Sequence, residues 1–179
     1  QHGGGKGRFS AGNAETDFFD GHNLLPQNGA VSLDAEALAE LLFMEGSFDG
    51  DVRSAVISID FMSYVERTAN AITGPVFIRY ASLEDRMARR PQAMRIMQET
   101  LSPDGAGERE VMGGCMMAAC YHIGPMEGIP DTYAVLADWI RRHGYSHEGW
   151  CCERYVADYW TTRDESCHVA ELMVRVSRD

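Results

Sequence analysis

Residues 120–160 read CYHIGPMEGIPDTYAVLADWIRRHGYSHEGWCCERYVADYW, and residues 168–176 read HVAELMVRV. A strand-like run of small and apolar residues over 110–123 ends at Gly124-Pro125, a turn signal. Beyond it, Ile129, Tyr133, Leu136, Ala137 and Ile140 recur at helical spacing and form one face of a helix over 129–143. Gly144 follows as a C-cap. The run 150–160 reads as a second strand, 161–166 as a polar turn, and 168–176 as a third strand. The order is strand, helix, strand, strand.

A weaker version of this order lies upstream. Ser32 or Asp34 can cap a helix over 34–44, whose Leu38, Leu41, Leu42 and Met44 fall on a stripe ended by Gly46 and Gly50. The runs 55–64 and 75–81 are rich in Val, Ile and aromatic residues and read as strands. The stretch 83–101 is helical in composition, must break at Pro91, and carries Arg86, Arg89, Arg90 and Arg95 as a solvated face. Residues 102–107 (SPDGAG) form a linker. Residues 1–29 lack periodicity and read as a poorly structured segment with one possible short strand over 16–19. The start at Gln1, followed by Gly3-Gly4-Gly5, reads as a fragment or a cloning remnant with something missing upstream.

The expected fold is therefore α+β: two βαββ repeats forming a mainly antiparallel sheet, with helices on one face and a ligand cleft between the repeats. A single domain is expected over 30–179. Its diverged first half covers 30–82, a helical connector and linker 83–107, and the second repeat 108–179.

Composition narrows the function. The 179 residues are 45% hydrophobic and 24% charged, which suits one soluble globular domain. Sixteen Lys and Arg against 27 Asp and Glu give a net charge of −11, which repels a phosphate backbone and argues against direct nucleic-acid binding. No apolar run reaches the roughly 18 residues of a membrane span, and no signal segment opens the chain. Cys115, Cys120, Cys151, Cys152 and Cys167 are odd in number and lack a CxxC, so they read as reduced thiols in a cytoplasmic protein.

Side chains alternate along a strand. On the last strand Ala170, Leu172, Val174 and Val176 share an apolar face that should lie under the helices, and Glu171 takes the other face with Met173. On the strand before it, Glu153, Tyr155 and Tyr159 share a face. A hairpin could bring Glu153 and Glu171 onto one surface with two tyrosines, in a register that alternation does not fix. Acids beside aromatic rings suit a lipophilic cation. Two glutamates exposed on a wet sheet face fit the same alternation.

Other chemistry is less supported. His143 and His147 are four apart, but Gly144 and Tyr145 break the helix a metal pair would need. Cys120, His122, Cys167 and His168 could converge on neighbouring strands, yet no tight ligand spacing marks a zinc site. No nucleophile elbow is present, and the glycines at 3–7 follow no strand, so no phosphate loop is read. No catalytic residue, metal or cofactor is assigned.

The stretch over 113–178 resembles the second half of the GyrI-like effector-binding domains, the ligand-binding parts of MerR-type multidrug-binding regulators and of some AraC-type regulators, which also occur free-standing. The shared features are a strand ending in Gly-Pro, a helix with Leu-x-x-Trp, a following Gly-Tyr, a strand with Glu-x-Tyr and a last strand with an inward Glu. The resemblance implies a pseudo-twofold pair of βαββ units with the ligand between them. It places the pocket acid on Glu153 and the last-strand glutamate on Glu171. An aromatic position falls on His168 and another on Ile129, which thins the aromatic cage. Tyr155, Tyr121, Trp150 and Tyr159 complete the candidate ligand-binding set. The implied function is sensing of a hydrophobic small molecule, neutral or cationic, by a transcription regulator. DNA would be reached through a helix-turn-helix outside this chain, and dimers would form through segments outside it. A free-standing hydrolase of a small electrophilic metabolite and a protein-binding module of gyrase-inhibitor type are the alternatives.

Overall fold

A computed structural model describes residues 30–33, 41–48, 56, 58–88, 94–102, 104–112 and 114–178. Eight strands, β1 (Ala30–Leu33), β2 (Leu41–Phe48), β3 (Ile72–Tyr80), β4 (Met94–Thr100), β5 (Arg109–Met112), β6 (Met117–Ile123), β7 (Tyr145–Ala157) and β8 (Val169–Arg178), form one sheet. Among the described residues the helices α1 (Ile59–Arg67), α2 (Leu83–Met87) and α3 (Ile129–Arg142) accompany them. The strand order is β1-β6-β8-β7-β3-β4-β2-β5, and every neighbouring pair is antiparallel. From the central β7–β3 pair outward, each half runs through the same sequence of strands: the one after its helix, the next in the chain, the one before its helix, and an added edge strand.

The sheet is curled. Met112 of β5 and Met117 of β6 are five residues apart, a reach of at most about 18 Å. In the sheet these strands are six steps apart, about 29 Å if flat at roughly 4.8 Å per step. Two apolar layers result. The helix-covered face carries the larger one, with Phe61 and Val65 of α1, Leu83 of α2 and Ile129, Tyr133, Leu136 and Ile140 of α3. These meet Ile78, Tyr80, Cys151, Tyr155, Ala170, Leu172, Val174 and Val176 of the strands. The expected apolar face of β8 is thus the one under the helices. The opposite face buries Phe43, Phe77, Met97, Met117, Ala119, Cys152 and Met173, all from strands.

The second half follows the sequence reading closely. Helix α3 spans its expected stretch, Gly124 turns at φ +121° and Gly144 caps at φ +71°, backbone states that glycine tolerates best. Strand β7 starts earlier than expected, at Tyr145, and ends at Ala157. The expected strand region at 110–123 is two strands, β5 and β6.

The first half departs from it. Residues 41–44, read as helix, belong to β2, and Gly46 pairs with Ile96 instead of ending an element. Pairing with β4 on one side and β5 on the other outweighs a chance helical spacing of leucines. The run at 55–64, read as strand, contains the start of α1. Ser58 caps it by accepting a hydrogen bond from the Phe61 amide, and Asp60 sits in the first turn. Phe61 and Val65, one turn apart, bury its inner face. Among the described residues of the expected helix at 83–101, 83–87 are helical, and 94–100 are β4, enclosed by β3 and β2. The expectations at 16–19 and 34–40, and at Arg89, Arg90 and Pro91, lie outside the described residues.

Candidate functional site

The two central strands pair Val76 with Tyr155, Ile78 with Glu153 and Tyr80 with Cys151. Cross-strand partners share a face, so Glu153 enters the helix-covered layer between Tyr155 and Cys151. It is 0% exposed. A carboxylate in that position needs an opposite charge and hydrogen bonds. Both are present. Arg86 donates from Nε to Oε1, and Tyr80 and Tyr155 donate their hydroxyls to Oε2, Tyr80 at 3.2 Å.

The sequence explains how Arg86 arrives there. Strand β3 ends at Tyr80, and Ser82 caps α2 by accepting from the Asp85 amide at 3.0 Å. The helix therefore starts directly after the strand, and its first turn returns Arg86 over the sheet. The guanidinium carbon lies 5.0 Å from the centre of the Tyr80 ring and 5.9 Å from that of Tyr133, within cation–π range. Tyr133 reaches down from α3 and donates to the Cys152 carbonyl at 3.3 Å. Burial disfavours the charged guanidinium, but the Glu153 carboxylate with Tyr80 outweighs it, and Arg86 is held above its ordinary value. Burial first, then the Glu153 charge, pushes the Tyr80 and Tyr155 hydroxyls well up.

Beside this cluster lies an open cavity of about 670 Å³, between α1, the start of β3, β4 and the end of β7. Its size is that of a pocket for a drug-sized molecule. Gly74, at φ +70°, sits in the irregular part of the β3–β4 pairing, and Gln98 bridges the gap by donating to the Gly74 carbonyl at 2.7 Å. The walls are mainly apolar, with Phe61, Val76, Ile96 and Val156 among them. Trp160 stands at the mouth, 70% exposed, and its indole N–H donates to the Val56 carbonyl at 3.3 Å. Tyr155 belongs to both features: it lines the cavity and holds Glu153.

Of the residues singled out from the sequence, the structure brings Glu153 and Tyr155 together. Ile129 is fully buried at the start of α3 in the same apolar layer. Tyr159 and His168 meet each other edge to face at 4.5 Å, with His168 Nε2 bonded to the Thr162 carbonyl at 3.1 Å. The expected common surface of Glu153 and Glu171 does not form. The register sets Glu153 opposite Leu172 and Arg154 opposite Glu171, so the two acids lie on opposite faces. Glu171 pairs instead with Arg154 at 2.5 Å, and Tyr121 is its neighbour on β6. Trp150 packs on the strand-only layer, also away from Glu153. His122 is bonded through Nδ1 to Thr132 and through Nε2 to the Pro125 carbonyl, both at 2.8 Å, so it secures the turn into α3.

Sequence reasoning placed Arg86 on a solvated face, where the structure buries it against Glu153, and passed over Tyr80. The available signal was Ser82 directly after a strand, the mark of a short capped helix, together with the need of a buried glutamate for a cation.

A comparison with curated proteins finds no match. Among solved structures, the C-terminal domain of EcmrR is similar with a TM-score of 0.69 at 16% identity, over 86% of this chain and 98% of that one. EcmrR in its complex with DNA gives a TM-score of 0.66 at 16% identity, over 86% of this chain; the match spans only 58% of that longer protein. A hydrolase encoded by lin2189 from Listeria innocua gives 0.54 at 12% identity, over 84% and 91%. At such identities the likeness concerns the fold. The model of the GyrI-like small molecule binding domain matches residues 60–177, extending the resemblance seen at 113–178 back through α1, β3 and β4. With the family's model covering well over half of the chain, the central strands that carry Glu153 included, the chain belongs to the GyrI-like family of small-molecule-binding domains.

Proposed function

We propose that this chain is the effector-binding domain of a cytoplasmic transcription regulator, and that its ligand is a hydrophobic small molecule held in the cavity beside Tyr155. The observation that carries this reading is the cavity of about 670 Å³ with mainly apolar walls, which ends on a tyrosine bonded to a fully buried acid. A ligand there touches α1, β3 and β7 together, so it can bias how the helix sits on the central strands. That is what a sensor needs to pass occupancy to a partner domain. The net charge of −11 is consistent with DNA contact being made elsewhere in such a regulator.

The test is a binding titration with neutral aromatic probes, read by calorimetry and by Trp160 fluorescence. Val76→Trp fills the cavity from β3. Wild type should show saturable binding that Val76→Trp abolishes while the fold persists by circular dichroism. Equal binding by both proteins would refute the site.

A further inference from the structure

Glu153 is closed to a ligand: it is 0% exposed, its oxygens accept from Arg86, Tyr80 and Tyr155, and it does not line the cavity. Among the described residues, the charged side chains on the cavity wall are Arg154 and Asp158. Arg154 is paired with Glu171 at 2.5 Å. Asp158 is 6% exposed and has no basic partner among the described residues. Its Oδ1 accepts from the Trp160 amide at 2.9 Å and the Thr161 hydroxyl at 3.4 Å, both neutral donors. Its Oδ2 has no hydrogen-bond partner among the described residues, yet it is not one of the polar atoms sealed from solvent. On a residue so buried and set in the cavity wall, the opening left to Oδ2 is the cavity itself.

We propose that Asp158 is the recognition acid of this cavity and that the ligand is a protonated amine carried on an aromatic body. This rests on the effector-binding reading above and adds the polar head of the ligand and the residue that reads it. A desolvated carboxylate with neutral donors on one oxygen and none on the other is costly. An ammonium N–H supplies both the missing counter-charge and the missing hydrogen bond, the stronger charge-assisted kind. A quaternary cation brings charge without a donor and satisfies only half of that need. An anion finds the reverse of a site, because the guanidinium on the wall already holds a carboxylate. Asp158 is also fixed in advance. Its carbonyl accepts from the Thr161 and Thr162 amides, each at 2.9 Å, and its Oδ1 from the next residue's amide, so little ordering is left for binding. Phe61, Tyr155 and Trp160 line the same cavity and offer ring surface to an aromatic body.

The experiment uses the full chain and calorimetry at neutral pH with three probes of one body: 4-(aminomethyl)biphenyl, its N,N,N-trimethyl derivative and 4-ethylbiphenyl. Wild type should bind the primary amine roughly tenfold or more tighter than either of the others. Asp158→Asn keeps an acceptor for the Trp160 amide and removes the charge. It should weaken the amine by roughly 30-fold or more and 4-ethylbiphenyl by less than about threefold. Asp158→Ser, which also keeps an acceptor for that amide, serves if Asp158→Asn does not fold. A wild type that shows no preference for the amine, or Asp158 variants that weaken amine and hydrocarbon equally, would overturn the proposal. The cavity is checked separately with Val76→Trp. Amine binding that falls in Asp158→Asn but survives Val76→Trp would count against the cavity as the effector site and for Asp158. Binding of all three probes with equal affinity, abolished by Val76→Trp, would keep the effector site and refute the role of Asp158.

Discussion

Glu153→Gln keeps the size of the side chain and removes its charge. Arg86 is then left charged at 5% exposure among Tyr80, Tyr133 and the strands, with an amide in place of its carboxylate partner. Breaking a buried ion pair from one side costs about 3–5 kcal/mol. For a domain of this size that corresponds to a fall in Tm of roughly 6–20 °C. The surface pair Arg95–Glu108, whose side chains are 38% and 68% exposed, sets the contrast: Glu108→Gln should cost about 0–1 kcal/mol. Arg86→Met should be the milder of the two core substitutions, because a stranded carboxyl can take up a proton whereas a guanidinium cannot shed one. The double variant Arg86→Met/Glu153→Gln removes both charges and should recover most of the loss. Urea melts of the four proteins close the cycle and yield the coupling energy directly. A Glu153→Gln loss under about 1 kcal/mol, or a double variant no better than the sum of the singles, would refute the buried pair as the centre of this site.

Stability should fall on the alkaline side. Burial raises Tyr80, Tyr133 and Tyr155 well above their ordinary value and pushes the Cys120 and Cys151 thiols up to about 12, so the folded state holds protons that the unfolded chain releases. The contribution is complete below the unfolded values of thiol and phenol and declines above about pH 9; urea midpoints that stay flat from pH 8 to 11 would contradict it. Thiol labelling under native conditions should reach exposed Cys167 first and leave Cys120, Cys151 and Cys152 untouched until the chain unfolds, as peptide mass analysis would reveal. Gly128→Ala places a Cβ 2.9 Å from His122 Cε1, a ring fixed by two hydrogen bonds, and should cost about 1–3 kcal/mol in a thermal melt.

The second half of the chain was legible because its local signals agree with its contacts. The stripe of α3, the glycines at 124 and 144 and the apolar alternation of β8 each favour the state the sheet requires. In the first half they conflict. The segment MRIMQET of β4 consists mostly of good helix formers, yet it is paired on both sides, and the run around Phe61 is rich in strand formers, yet the Ser58 cap and its buried one-turn spacing make it a helix. At the site, alternation was enough to place Glu153 and Tyr155 on one face. It was not enough to place Glu171, because a shift of one residue between β7 and β8 moves it through the sheet. Arg86 was out of reach for a different reason: its contact with Glu153 joins segments 67 residues apart, and no pattern within either one reports the other.

The pairing of β1 with β6 carries a consequence for how the chain comes off the ribosome. Ala30 finds its place beside Cys120, and β6 is held on its other side by β8, the last of the described strands in chain order. Strand β1 therefore waits until β6 has been made, while β2 can join β4 earlier. Such long-range closure slows folding and leaves a strand edge open in the interval. The unpaired β6 would present Tyr121 and Ile123, 38% and 46% exposed even in the finished sheet, to any passing edge. Completion of the second half is thus the step that protects the nascent chain from association with its neighbours.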